Sequence, residues 1–216
     1  MRVILKPAGF AVVVVTIGVL AALVVVLSGK LNGPGTGKPS VAGDSASSGA
    51  VSTGDSGGTE SGKLIIDPTE APWTLATQPP AQATKSEFND ATLPGNIKHA
   101  VRLEVTQVDP AKFWCAQLIK KVPQSIKANH NLTVRFWARS AQETSVHVVF
   151  EDGQSPHTPE LDKIIRFTPD WKEYTLRFRT TRDHDMVPAN FCLKAGMMTG
   201  EVEISDVRVS DGGPAG

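Results

Sequence analysis

The feature that most constrains this chain is the alternation of apolar and polar residues between residues 63 and 211. In residues 132–139, Leu132, Val134, Phe136 and Ala138 fall on one side of the pattern and Thr, Arg, Trp and Arg on the other. A period of two predicts a β-strand with one buried and one exposed face. The same pattern recurs in residues 100–105, 113–119, 145–151, 163–167, 173–179, 190–194 and 201–209. Short strands separated by turn residues predict an all-β fold, an antiparallel β-sandwich or jelly roll.

An apolar run precedes this region. Residues 7–29 carry no charged side chain, and about 20 apolar residues suffice to cross a membrane as a helix. Arg2 and Lys6 come before the run, which favours a cytoplasmic N-terminus. We therefore expect a single-pass transmembrane signal anchor over residues 1–30. A cleavable signal peptide is the alternative, and either would place the rest of the chain outside the cytoplasm.

Residues 31–62 have the composition of a flexible linker. Nine glycines and seven serines lie between Gly33 and Gly62, with Val41 and Val51 as the larger apolar residues. Such a segment buries too little apolar surface to offset its chain entropy, and it would span about 30 Å as a coil. We expect a disordered tether here, a folded module over residues 63–211, and a disordered tail over residues 212–216.

Charge and cysteine content exclude several classes of protein. The chain has 22 Lys and Arg against 22 Asp and Glu, so it lacks the basic excess that nucleic-acid binding requires. Two cysteines exclude a disulfide-framework miniprotein and an all-cysteine zinc site. The five histidines show no metal-ligand spacing, and no sequence feature fixes a catalytic carboxylate pair. We therefore expect a non-enzyme without a cofactor.

Several short motifs, in this order and spacing, resemble those of the cellulase-C type carbohydrate-binding modules. The resemblance covers residues 73–209, and its most specific pieces are Phe136-Trp137-Ala138-Arg139, Trp171-Lys172-Glu173-Tyr174 and Ile204-Ser205-Asp206-Val207. It implies a galactose-binding-like jelly roll of the kind appended to glycoside hydrolases. In jelly-roll order, the strands around Cys115, His147, Ile165 and Cys192 share one sheet. Those around Leu103, Val134, Leu176 and Ile204 form the other.

The resemblance also implies a ligand face, the outer side of the first sheet. Sugar recognition uses aromatic side chains against ring faces and planar polar groups for hydroxyls. The ligand-binding residues implied on this face are Phe113, Gln117, His147, Glu151, Arg166 and Asn190. Few aromatic residues fall on it, because Trp73 and Trp114 are interpreted as core or rim residues and Trp137 belongs to the opposite sheet.

The resemblance and the strand order it implies suggest two further features. Cys115 and Cys192 would lie on neighbouring strands with outward side chains, which favours a disulfide in an oxidising compartment; two free thiols are the alternative. A disulfide there would occupy part of the ligand face. Asp206 matches an acidic position that often binds a structural calcium in related modules, with residues 66–67 as candidate further ligands; a solvated loop acid is the alternative.

Together these observations predict a non-catalytic, membrane-tethered, extracytoplasmic carbohydrate-binding module. Its expected partners are a polysaccharide or cell-envelope glycan and, through the N-terminal helix, the membrane. The weak supply of aromatic residues leaves a second hypothesis open, a protein-interaction or structural scaffold sandwich with no sugar ligand and with a protein partner.

Overall fold

A computed structural model of the chain describes residues 51–53, 62–69 and 72–216. The predicted anchor at residues 1–30 and most of the predicted linker lie outside these ranges. Within them, the structure contains no helix that is long and apolar enough to cross a membrane.

The described residues form β-strands joined by turns and loops. The strands are β1 (Val51–Thr53), β2 (Lys63–Ile66), β3 (Thr74–Thr77), β4 (Gln82–Asn89), β5 (His99–Gln107), β6 (Ala116–Lys121), β7 (His130–Ser140), β8 (Thr144–Asp152), β9 (Pro159–Phe167), β10 (Lys172–Arg179), β11 (Ala189–Lys194) and β12 (Gly200–Pro214).

Two antiparallel sheets pack into a sandwich. The larger sheet has seven strands in the order β1-β10-β7-β12-β5-β4, with β2 also pairing with β12; the smaller has five, in the order β3-β6-β11-β8-β9. The predicted division is confirmed, because β6, β8, β9 and β11 share the smaller sheet and β5, β7, β10 and β12 share the larger. The all-β sandwich predicted from the alternation is therefore present in the described residues.

An aromatic cluster joins the two sheets. Phe136 on β7 stacks on Tyr174 of β10, with ring centroids 5.4 Å apart, and both belong to the larger sheet. Phe136 also contacts Phe167 of β9 at 6.3 Å and Phe191 of β11 at 6.0 Å, which belong to the smaller sheet. All four rings are buried, and each contributes about 1.5–3 kcal/mol by leaving water. The buried core runs from Ile65 to Val209, so residues 62–216 carry their own hydrophobic core.

The outer face of the larger sheet is held by charged side chains. Arg139 lies 4.6 Å from the ring centre of Trp171 and forms a 2.8 Å ion pair with Asp90. Trp171 Nε1 donates a 3.1 Å hydrogen bond to the same carboxylate. Hydrogen bonds from Thr92, and then those charged and polar partners, lower the pKa of Asp90 to about 2. Ion pairs and hydrogen bonds therefore fix Trp171 and Arg139 on this face.

Three element boundaries differ from the predicted ones. Residues 51–53, within the predicted linker, pair as β1 with β10, Ser52 lying opposite Thr175. Residues 212–214, assigned to the disordered tail, belong to β12, and Pro214 pairs with His130. Residues 113–115, predicted as part of a strand, lie in the turns before β6, where Cys115 N donates to Lys112 O at 2.9 Å.

Candidate functional site

Three rows of side chains cover the outer face of the smaller sheet, hereafter called the groove face. The strand register sets Lys194 of β11 between Gln117 of β6 and His147 of β8. The next rows are Ile119, Cys192 and Val149, and then Lys121, Asn190 and Glu151. Successive rows lie about 6.7 Å apart, because same-face residues are two positions apart on a strand. Polar rows therefore flank an apolar middle row.

A cavity of about 330 Å³ opens on the groove face. Its size falls at the lower end of the range for sites that hold small ligands. Its walls come from the floor strands, the loop before β6 and the loop before β9. The lining residues are Gln78, Phe113, Trp114, Gln117, Ile119, Val149, Glu151, Pro156, His157, Pro159, Asp162, Asn190 and Lys194.

Aromatic rings form one wall of this cavity. Trp114 is 37% exposed. Its ring is nearly perpendicular to that of Phe113, with an interplanar angle of 86° and ring centroids 5.1 Å apart. The imidazole of His147 stacks on the ring of Phe113, with ring centroids 4.0 Å apart and an interplanar angle of 20°. His147 Nδ1 lies 2.8 Å from Asp162 Oδ1. The wall therefore consists of the exposed Trp114 indole and the Phe113 ring, which is supported by His147 and its partner Asp162.

Cys115 fixes the loop that carries this wall. Its thiol is fully buried; Asp109 N donates to Sγ at 3.5 Å, and Sγ lies 3.6 Å from Gly196 O. Gly196 N donates to Phe113 O at 2.9 Å. A Cβ at Gly196 would lie 2.6 Å from Cys115 Sγ, so the close approach requires glycine. Cys115 thus points into the core, and its predicted outward orientation is corrected because the preceding turns break the strand alternation.

A buried ion pair lies across the floor. Lys194 Nζ donates to Glu151 Oε2 at 2.6 Å, and the two side chains are only 8% and 7% exposed. Lys194 and Glu151 lie in the two outer rows, so their side chains meet over the middle row that contains Cys192. The Cys192 thiol lies 3.6 Å from Glu151 Oε1. Burial, and then the charge of Glu151, raise the pKa of Cys192 well above its usual value, so this thiol stays protonated at neutral pH.

The floor also offers an unused hydrogen-bond acceptor. Gln117 Oε1 is buried and has no hydrogen-bond partner among the residues that the structure describes. An unpaired buried acceptor costs about 1–3 kcal/mol.

Four of the six residues implied by the resemblance meet at this cavity: Phe113, Gln117, Glu151 and Asn190. His147 supports Phe113 from behind without lining the cavity. Arg166 does not join them, because it lies opposite Ser145 on the outermost strand β9 and pairs with Glu143. The structure therefore places Arg166 outside this cavity.

Nine lining residues were not among the predicted site residues: Gln78, Trp114, Ile119, Val149, Pro156, His157, Pro159, Asp162 and Lys194. The alternation did place Lys194 on the outer face of β11, so that signal was available. Trp114 and His157 lie in loops, where a period of two carries no information on direction.

Cys115 and Cys192 are both free, and the strand register excludes the predicted disulfide. Cys192 lies opposite Ile119, four residues beyond Cys115. Four residues of strand correspond to about 13 Å, whereas a disulfide requires Cα atoms within about 7 Å. The prediction placed the right strands side by side with the wrong offset.

The residues around Asp206 do not fit the implied calcium ion. Its carboxylate is paired with Arg208, and in the part of the chain that the structure describes no three His, Cys, Asp or Glu side chains group as metal ligands. A hard cation takes six to eight oxygen ligands. Asp206 and Arg208 line a second, larger cavity of about 860 Å³, separate from the groove face.

Comparisons with known proteins identify the fold. No family model matches the chain, and no curated protein matches its sequence. A solved structure of a CBM4 module is 18% identical with a TM-score of 0.52, over 69% of this chain and 94% of that one. The CBM22-1 xylan-binding domain of Paenibacillus barcinonensis Xyn10C is 8% identical with a TM-score of 0.50, over 73% and 100%.

The same architecture also occurs inside an enzyme. An arabinose-bound α-L-arabinofuranosidase is 10% identical with a TM-score of 0.50, over 69% of this chain and 24% of that one. The chain therefore shares a jelly-roll sandwich fold with these carbohydrate-binding modules and with part of that enzyme.

Proposed function

We propose that this protein is a non-catalytic carbohydrate-binding module that holds a segment of polysaccharide on its groove face. The observation that supports this is the cavity itself, in which an exposed indole stands beside a polar floor. The fold is shared with the CBM4 and CBM22-1 modules, and the motifs resemble the cellulase-C type more specifically.

Each part of the cavity suits a part of a sugar. Trp114 offers a flat apolar surface to the ring face. Gln117 and Asn190 line the cavity, and a side-chain amide can both donate to and accept from a hydroxyl. The three rows of the floor span about 13 Å, so the bound unit is a short stretch of a chain rather than a single ring.

The carboxylates at the cavity support a binding role rather than hydrolysis. Glu151 is neutralised by Lys194 at 2.6 Å, and Asp162 is paired with His147 at 2.8 Å. Glycoside hydrolysis needs one carboxyl as acid and a second as base or nucleophile across the bond. Here both carboxylates already hold structural partners.

The N-terminal sequence supports a proposal for the cellular location of this module. The uncharged apolar run at residues 7–29 and the glycine- and serine-rich segment that follows support a membrane anchor and a tether. We propose that the module is displayed outside the cytoplasm, where a cell-envelope or environmental glycan is within its reach.

Calorimetry and a glycan array on a segment spanning residues 46–216 would test the proposal. We expect binding to at least one polysaccharide and an affinity loss of up to about tenfold in Trp114→Ala, since one aromatic contact contributes about 0.5–1.5 kcal/mol. Trp137→Ala, on the opposite sheet, is the matched control. A folded segment that binds no glycan, or a Trp137→Ala variant impaired as much as Trp114→Ala, would refute the proposal.

One observation favours the second candidate function, a protein-docking sandwich. β9 is the last strand of the smaller sheet, and Ile164 on it is largely exposed. An edge strand with an exposed apolar side chain can pair with another chain. A pull-down in which Ile164→Lys abolishes capture of a stable protein partner, while Trp114→Ala does not, would favour this function over glycan binding.

A further inference from the structure

The pairing of the long strand β12 with β7 contains a β-bulge at Asp206. Its pairing with β7 passes from Ser205 opposite Trp137 to Arg208 opposite Arg135, with a shift of register between them. Asp206 has a φ of 49°, a left-handed conformation that few residues other than glycine, asparagine and aspartate adopt. The Asp206 side chain is only 15% exposed.

Arg208 holds that carboxylate at two points. Its Nη2 donates to Asp206 Oδ1 at 3.1 Å, and its Nε lies 3.1 Å from Oδ2. A planar guanidinium matches a carboxylate in this two-point arrangement, which a lysine cannot reproduce. Both oxygens of Asp206 are therefore engaged by one cation from the same strand.

The second acid of this region, Asp67, lies in the field of the same cation. Its Oδ1 accepts from Thr69 N at 2.8 Å and from Thr69 Oγ1 at 2.6 Å. These bonds lower the pKa of Asp67, and the positive charges of Arg208 and Lys120 lower it further. Side chains of the protein thus supply positive charge to both acids.

The pair is accessible to ions from solution. Asp206 and Arg208 line the 860 Å³ cavity, and the Arg208 side chain is 44% exposed. A calcium ion that bound Asp206 would have to displace the guanidinium. It would also have to collect further oxygen ligands to reach six or more.

We infer that Arg208 takes the place in this chain that a structural divalent cation would hold beside Asp206. The guanidinium neutralises the bulge carboxylate from within the strand, so the sandwich needs no calcium for its stability. This inference concerns the larger cavity and β12, and it stands apart from the proposed sugar site.

Thermal unfolding of a segment spanning residues 46–216, with its self-contained core, tests the inference. The midpoint is measured in EDTA and in about 1 mM CaCl2, a concentration that fills extracellular calcium modules. We expect the same midpoint in both. Arg208→Ala is expected to lower it by about 2–4 °C, and Arg177→Ala, which removes an exposed arginine from β10, is the matched control.

Three results would contradict the inferred role of Arg208. A midpoint raised by calcium or lowered by EDTA in the unmodified segment overturns it, as does an Arg208→Ala variant no less stable than Arg177→Ala. Arg208→Lys keeps the charge without the two-point geometry, and it remains informative if the alanine variant does not fold. Its midpoint should lie below that of the unmodified segment and should not respond to calcium; a calcium response would contradict the role of Arg208.

Discussion

Removing one charge of the buried pair between Lys194 and Glu151 should destabilise the sandwich strongly. Both side chains are less than a tenth exposed, and their charged atoms lie 2.6 Å apart. Lys194→Met removes the ammonium but leaves the carboxylate beside Cys192, with no ion-pair partner and shielded from water. An uncompensated buried charge costs about 3–5 kcal/mol.

That cost is large against the stability of a domain, which is about 5–15 kcal/mol in total. The paired variant, Lys194→Met with Glu151→Leu, removes both charges and fills the same space with apolar atoms. Replacing a complete buried ion pair in this way is often neutral or stabilising. We therefore expect the double variant to regain most of what the single variant loses, which gives a coupling free energy of several kcal/mol.

Urea unfolding of a segment spanning residues 46–216 measures these free energies. Arg166→Met is the matched control, because Arg166 pairs with Glu143 at the same sheet while their side chains are 69% and 51% exposed; such a pair contributes at most about 1 kcal/mol. The reasoning fails if Lys194→Met costs no more than Arg166→Met. It also fails if the double variant is as unstable as Lys194→Met alone.

Three further predictions concern the loop before β6, the outer face and the thiols. Gly196→Ala would set a methyl group 2.6 Å from Cys115 Sγ and 2.8 Å from loop backbone oxygens, so we expect a loss of about 1–3 kcal/mol in urea unfolding together with weaker glycan binding. Hydrogen bonds from Thr92 lower the pKa of Asp90 from 3.8 to about 2; its contribution should be complete above about pH 4 and vanish towards pH 2, so Asp90→Asn should be destabilising at pH 5 and neutral near pH 2. A thiol-reactive dye should label neither Cys115 nor Cys192 in the folded protein and both after unfolding without reductant, whereas a disulfide would leave nothing to label.

The strands that could be predicted from the sequence are those with a buried face. β7 and β10 alternate cleanly because every second residue contributes to the core. β4 was not predicted, since it is an edge strand with a mostly exposed sequence and only Ala83 and Phe88 as apolar residues. The same holds for β3, whose four residues are too few to establish a period. Alternation reports burial, and it does not report pairing at an edge.

Loop conformation and strand register are the two features of the candidate site that could not be predicted from the sequence. Trp114 could not be assigned to the cavity, because its direction depends on the turns before β6 and on the buried thiol that fixes them. The offset between β6 and β11 depends on packing across the whole sheet. An error of four residues in that offset separates a bonded pair of cysteines from two distant thiols.

The correction of the disulfide changes the functional interpretation as well as the covalent structure. A bond between Cys115 and Cys192 would have crossed the groove face and occupied part of its cavity. Instead, Cys115 points into the core, where it anchors the loop that presents Trp114. Cys192 lies beneath the ion pair of Glu151 and Lys194. The two thiols thus support the wall and the floor of an open cavity, and the aromatic surface missing from the alternation pattern is supplied by a loop residue.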